Sequence, residues 1–141
     1  MVRINNLSKN YGTVQAVDSI SFNLNDSEIV GFLGANGAGK STTLKMITGY
    51  LTPTSGNVYL DEMNIIDNCL DIQKMIGYLP ELNPLYSEMK VHEYLKFHAS
   101  IRGITGGKFT DSLKKVVSDC GLQGVVHRTV GNCSKGYKQR I

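Results

Sequence analysis

Gly34-Ala35-Asn36-Gly37-Ala38-Gly39-Lys40-Ser41 is the stretch whose reading decides the fold. It fits the pattern G-x-x-x-x-G-K-[ST] at every fixed position. Glycine at 34, 37 and 39 permits backbone conformations that bring N–H groups around an anion with no side chain between. A helix starting after the loop directs its partial positive end at the same place. Lys40 can reach the β- and γ-phosphates as a point charge, and the Ser41 hydroxyl is a hard oxygen suited to Mg²⁺. The stretch reads as a phosphate-binding loop.

Its flanks agree with that reading. Glu28-Ile29-Val30-Gly31-Phe32-Leu33 is apolar without alternation, which predicts a strand buried on both faces. Lys40 to Thr48 predicts a helix with Leu44, Ile47 and Leu51 on its inner face and Gly49 near its C-cap. Strand, glycine loop and helix in that order are the setting such a loop needs. A dinucleotide-binding loop is disfavoured by spacing. The glycines run G-x-x-G-x-G, not G-x-G-x-x-G, although Asp61 lies near the offset of a ribose-binding acid.

Toward the N-terminus, Val2 to Asn6 predicts a short strand, and Ile20 to Leu24 alternates as a half-buried strand does. Asn25-Asp26-Ser27 is a turn cluster. Pro53-Thr54-Ser55-Gly56 turns into a strand at Val58 to Leu60, and Ile76-Gly77-Tyr78-Leu79 predicts another, stopped by Pro80. Beyond Pro84 the period changes. Val91, Leu95, His98 and Ile101 recur at helical spacing and end at Gly103; Leu113, Val116, Val117 and Cys120 repeat the pattern and end at Gly121. The first two-thirds is strand-rich around one loop helix, and the last third is helical.

Val58-Tyr59-Leu60-Asp61-Glu62 imitates the apolar, acid-ended strand that holds Mg²⁺ in phosphate-loop enzymes. Such a strand, covered on both faces, should be continuously apolar. Asn57-Val58-Tyr59-Leu60 alternates instead, so Asp61 and Glu62 read as a strand-end turn.

Composition sets outer bounds. A chain of 141 residues, 41% hydrophobic and 19% charged, has the make-up of a soluble globular protein. Its formal charge of +3 is too mild and dispersed to argue by itself for nucleic acid or a membrane surface. No stretch approaches the ~18 consecutive apolar residues of a membrane span, and the N-terminus lacks the apolar core of a secretory signal. A cytosolic chain is expected. Cys69, Cys120 and Cys133 share no C-x-x-C spacing and read as small buried hydrophobes; with His92, His98 and His127 they make no zinc cluster.

Five segments, in order, resemble one family. They are Leu7-Ser8-Lys9-Asn10-Tyr11-Gly12, the phosphate loop, Pro53-Thr54-Ser55-Gly56, Ile76-Gly77-Tyr78-Leu79-Pro80-Glu81, and Asn132-Cys133-Ser134-Lys135-Gly136-Tyr137-Lys138-Gln139-Arg140. Over essentially its whole length the chain resembles the nucleotide-binding subunits of ATP-binding cassette transporters. Within them it is most similar to single-cassette exporter subunits, especially those associated with bacterial gliding motility.

The resemblance implies ATP and Mg²⁺ as cofactors, with Gly34, Ala35, Asn36, Gly37, Ala38, Gly39, Lys40, Ser41 and Thr42 on the nucleotide. Tyr11 matches an aromatic that stacks on adenine, worth roughly 1–3 kcal/mol by analogy with base stacking. Glu81 stands where the family usually has a glutamine that contacts Mg²⁺ and communicates with the membrane subunit. A glutamate changes the charge there but still offers oxygens to the metal. Lys40 and Glu81 are thus the implied catalytic residues, and Ser41 and Glu81 the metal ligands. The family's L-S-G-G-Q signature appears here as Cys133-Ser134-Lys135-Gly136-Tyr137. Ser134 and Gly136 are retained and would meet the phosphate of ATP held by a second, head-to-tail ATP-binding subunit. Ser134 can also cap a helix. Lys135 and Tyr137 resemble the gliding-type S-K-G-Y variant, and Cys133 replaces a leucine.

In the family the signature is followed by a magnesium-holding strand, a catalytic glutamate and a switch histidine. This chain stops at Ile141, before all three, and is expected to be a fragment with apolar surface exposed.

The expected fold is therefore α/β, of the P-loop NTPase type found in ABC ATPases. It has an incomplete core sheet with an antiparallel β portion in residues 1–89 and a helical subdomain in 90–141. The expected partners are a membrane-spanning transporter subunit and a second ATP-binding subunit, with no nucleic acid. The expected location is cytoplasmic, at the inner face of the membrane through the membrane subunit. The complete protein would be an ATPase driving export, and this stretch alone would hydrolyse little ATP. Two rival readings are a cytosolic cassette protein acting on ribosomes or DNA, and a small P-loop kinase in which Asp61 is a true magnesium ligand.

Overall fold

Glycine and short polar turns let the N-terminal strands fold back on one another. The computed structural model describes residues 1–80 and 83–141. β1 (Val2–Tyr11) and β2 (Val14–Leu24) form a hairpin closed by Gly12 and Thr13, with Tyr11 opposite Val14. Gly12 has φ 58, the left-handed geometry that a tight two-residue hairpin turn requires. Asn6 and Ser19 also have positive φ, and the β1–β2 register shifts beside them. Their strain is tied down locally: the Asn6 amide donates to Ser21 Oγ at 2.8 Å, and Ser21 Oγ donates to Asn6 Oδ1 at 3.1 Å. Both strands run well past the short strands predicted.

β3 (Ser55–Leu60) pairs antiparallel with the other edge of β1, and β4 (Met63–Asn64) folds back on β3, giving the order β2-β1-β3-β4. Asp61 and Glu62 are the two-residue turn between β3 and β4, as the alternation of 57–60 implied. A side chain at Gly56 would collide with the Asn6 carbonyl, so β3 can approach β1 there only as glycine.

Helix α1 (Lys40–Ile47) and helix α2 (Cys69–Met75) complete this unit. Ile4 and Leu7 of β1, Val17 of β2, Met46 of α1, Val58 of β3, Ile65 and Ile72 make its buried core. The inner face of α1 differs from expectation. Thr43 and Met46 are buried, Ile47 and Leu51 lie partly covered, and Leu44 is exposed. The buried Thr43 donates its hydroxyl to the Gly39 carbonyl at 3.0 Å, which satisfies a polar side chain where only apolar ones were sought.

Two predicted strands are absent. Residues 28–33 form no strand, and Ile29 and Leu33 are almost fully exposed. A strand buried on both faces needs a ladder partner and a covering layer on each side; no described residue pairs with this one. Its ends are held by short-range contacts instead. Glu28 accepts from both the Asn25 amide and Asn25 Nδ2 at 2.9 Å, and the Phe32 ring lies 5.9 Å from that of Phe22. Ile76-Gly77-Tyr78-Leu79 is likewise not a strand. Ile76 still bonds back to Ile72, and the Tyr78 ring meets Tyr50 at 5.1 Å.

The chain divides at 78/79 into two units. The second contains α3 (Val91–Ile101), α4 (Gly106–Asp119), a 3₁₀ turn (Val130–Asn132) and α5 (Lys135–Arg140). Residues 87–91 run beside 128–131, with Val91 N bonding Arg128 O, Val130 N bonding Met89 O, and Gly131 N bonding Ser87 O. Val91, Tyr94, Leu122, Val125, Val130 and Cys133 form the core of this unit. Gly103 and Gly121 follow the two long helices in the left-handed conformation, as the punctuation predicted. The helix faces are rotated from expectation. Tyr94 is buried in α3, whereas His98 and Ile101 are exposed, and Val116 of α4 is also exposed. Among the described residues no helix is long and apolar enough to cross a membrane.

The rotated face of α1 sets a test. Met46→Ala removes a fully buried side chain and should cost about 2–5 kcal/mol in urea unfolding. Leu44→Ala should stay within about 0.5 kcal/mol.

Candidate functional site

The phosphate loop spans residues 34–39 and delivers the chain into α1. Ala38 N bonds Ala35 O at 3.2 Å, closing a turn, and Gly37 and Gly39 follow with φ 84 and φ 82. Gly39 is the N-cap of α1 and has no side chain to satisfy the helix's first donors. By helix geometry the N–H groups of Lys40, Ser41 and Thr42 have no intrahelical carbonyl, and no acid stands in the first turn. These donors, the helix dipole and the Lys40 ammonium form one electropositive mouth.

Two contacts fix the mouth in place. A Cβ at Gly39 would run into the backbone carbonyl of Ala16 on β2 and press on Val17, so the loop's end is pinned to the hairpin. Lys40 Nζ donates to Gly34 O at 2.8 Å and to Ala35 O at 2.7 Å, which holds its charge over the loop. Around Gly37 nothing lies within 4 Å of a hypothetical Cβ, so space on that side is open. Ala16 and Thr43 shape the loop, and sequence reading missed both. Ala16 acts through its backbone and leaves no signal, but a threonine four residues after the last loop glycine was legible as a hydroxyl able to bond back.

The donor set fits a polyphosphate. For Mg²⁺, which binds chiefly through substrate phosphates and one or two protein oxygens, Ser41 supplies a hydroxyl on the exposed first turn. Glu81, expected as the second ligand, lies outside the described residues. No group of three or more His, Cys, Asp or Glu that could hold a metal occurs among the described residues.

Asp61 is distant from the loop. It sits level with Met1, whose ammonium bonds its Oδ1 at 2.9 Å, while Gly39 packs where β2 faces Lys9 and Asn10. Seven or eight residues of β1 separate those levels, roughly 25 Å at the usual strand rise. A magnesium ion on the loop is beyond its reach.

Tyr11 ends β1 beside the Gly12 turn, half-exposed, with Lys9 Nζ 5.5 Å from its ring centre. It projects from the same end of the hairpin that pins Gly39.

In the second unit Ser134 is the N-cap of α5, its Oγ accepting from Tyr137 N at 3.4 Å, as its residue type suggested. Gly136 lies on the exposed first turn with open space around it. Arg140 stacks over the Tyr137 ring at 4.6 Å and donates to Cys120 O at 3.0 Å and Gly121 O at 3.4 Å, the carbonyl end of α4. Lys138 donates to Gly131 O at 2.9 Å. Cys133 is buried where leucine was the expected type, and its Sγ lies 3.6 Å from Thr129 O. Cys69 and Cys120 are only partly covered, and all three cysteines are free.

A family model described as ABC transporter matches residues 17–141. The chain is 38% identical over 141 residues, its full length, to the uncharacterized ABC transporter ATP-binding protein YxlF of Bacillus subtilis. Over the same 141 residues it is 36% identical to the bacitracin transport ATP-binding protein BcrA of Bacillus licheniformis. It spans 46% and 45% of those two proteins, a little under half of each. Among solved structures, an ATP-binding subunit of an ABC transporter matches with a TM-score of 0.85 at 27% identity, over 99% of this chain and 58% of that one.

Two glycine substitutions should separate strain from collision. Gly37→Ala meets only the left-handed backbone penalty, about 1–2 kcal/mol. Gly39→Ala adds the clash with Ala16 and should lower the melting temperature clearly more than Gly37→Ala in thermal unfolding.

Proposed function

The chain belongs to the ABC transporter family, and from that premise we propose that it forms the phosphate-holding part of an ATP-binding cassette. The observation that carries this reading is the joint placement of Lys40 Nζ over the loop and the uncapped start of α1 behind it. In this reading the N–H groups of Lys40, Ser41 and Thr42 and the Lys40 ammonium bind the β- and γ-phosphates. Tyr11 stacks on adenine, and Ser41 with Glu81 holds Mg²⁺. The metal, when bound, neutralises charge on the β- and γ-oxygens. Residues 1–89 then act as the nucleotide-holding part, and 90–141 as the helical part that presents Ser134 and Gly136 to ATP on a second, head-to-tail subunit.

In the complete protein, ATP would close two such subunits and hydrolysis reopen them, moving a membrane-spanning partner that exports substrate. In this reading the chain works at the cytoplasmic face of the membrane. Support for a transport role comes from BcrA, named a bacitracin transport ATP-binding protein, and support for the exporter class from the resemblance of the signature stretch; the gliding-motility subgroup rests on Ser134-Lys135-Gly136-Tyr137 alone. Chemistry at the γ-phosphate is positioning and charge stabilisation. No residue from Gly34 to Thr42 is a carboxylate able to take a proton from water, so this chain should bind more than it turns over.

Mg-ATP binding by the purified chain tests the reading. Lys40→Ala should weaken binding roughly 10- to 150-fold, the loss of a charge-assisted contact of about 1.5–3 kcal/mol. Asp61→Ala should leave it unchanged, and turnover should be negligible throughout. Binding indifferent to Lys40, or lost with Asp61, would overturn it.

A further inference from the structure

The modest overall charge conceals a partition that the two-unit division exposes. Residues 1–78 carry five Lys and Arg against seven Asp and Glu, net −2; residues 79–141 carry ten against five, net +5. All three histidines also fall in the second unit. The asymmetry is sharpest where α3 passes into α4. From Tyr94 to Thr110 there is no acidic residue, while Lys96, Arg102 and Lys108 are present. Residues 100–108, the end of α3, the turn and the start of α4, are exposed without a break. Within that stretch lie two large aliphatic side chains, Ile101 at 66% exposure and Ile104 at 36%. Phe97 is exposed one turn earlier. α4 itself is amphipathic yet buries no residue completely.

We propose that this α3–α4 tip is a contact surface for an anionic phospholipid bilayer. Exposed isoleucines flanked by cations, with no acid among them, match the chemistry of the lipid interface: aliphatic side chains enter the acyl boundary while Lys and Arg meet headgroup phosphates. Nucleic acid is matched less well, because its phosphate contacts gain nothing from the two isoleucines. The choice of a bilayer over other polyanions rests on the proposed seat of the chain beside a membrane. Nucleotide binding plays no part, so the two readings fail separately.

The test is flotation of the 141-residue chain with vesicles of pure phosphatidylcholine or of phosphatidylcholine with roughly one-third phosphatidylglycerol. The chain should partition onto the anionic vesicles severalfold more than onto the neutral ones and be released as added salt screens the charges. Lys96→Gln and Lys108→Gln should each reduce partition about fivefold. The Ile101→Ser, Ile104→Ser double variant should reduce it at least as much, which separates the tip from the exposed Ile29 and Leu33. The chain has no tryptophan, so Ile104→Trp gives a clean reporter whose emission should shift to the blue on anionic vesicles. Equal partition onto both vesicles, tip variants that bind like the wild type, or an unshifted emission from the Ile104→Trp variant would each overturn the proposal. Binding to a DNA duplex with none to vesicles would overturn it in favour of nucleic acid.

Discussion

The close approach of Gly39 to the Ala16 carbonyl fixes where the phosphate loop sits. α1 begins at the next residue, so this one contact sets the origin and direction of the helix whose free N–H groups face the anion. The hairpin that carries Ala16 must therefore be rigid before the loop can be. It is tied across its register shifts by the Asn6–Ser21 and Ser19–Ser8 hydrogen bonds, by Gly56 against Asn6, and by Met46 closing the core beneath. The loop is glycine-rich without being slack: one glycine sits in open space, and another sits where only hydrogen fits. Interior packing that leaves no spare volume transmits such a restraint from sheet to helix.

Much of this was legible in the residues. The loop pattern located α1 to within a residue, alternation at 57–60 distinguished a strand-end turn from a metal-holding strand, and Gly103 and Gly121 marked two helix ends. What escaped was whatever depends on partners distant in sequence. Residues 28–33 read as a doubly buried strand because their composition suits that environment, but composition does not supply the neighbours that create it. The helix faces were misjudged by about one position for a related reason. Apolarity selected Leu44, while the sheet beneath selected Met46 and accepted Thr43 because its hydroxyl could bond back to Gly39.

At the site the sequence identified the groups but not their bearings. Nothing in the letters said that Asp61 lies roughly 25 Å along the sheet from the loop, or that the N-terminal ammonium would engage it. Nor did the overall charge reveal its own distribution. A chain of net +3 looks unremarkable until its cations are found collected in one of its two units. Averages over a whole chain hide what a division of the structure makes plain.

Arg140 gives the second unit a mechanical property. Its guanidinium closes the carbonyl end of α4 at Cys120 and Gly121 while lying flat on Tyr137, so the end of one helix is clamped to the body of another. The clamp joins the last residues of α5 to a helix of 14 residues, whose far end is the exposed tip. Such a helix is about 20 Å long and stiff. Held at its carbonyl end by Arg140, α4 sets the exposed tip about one helix length from α5.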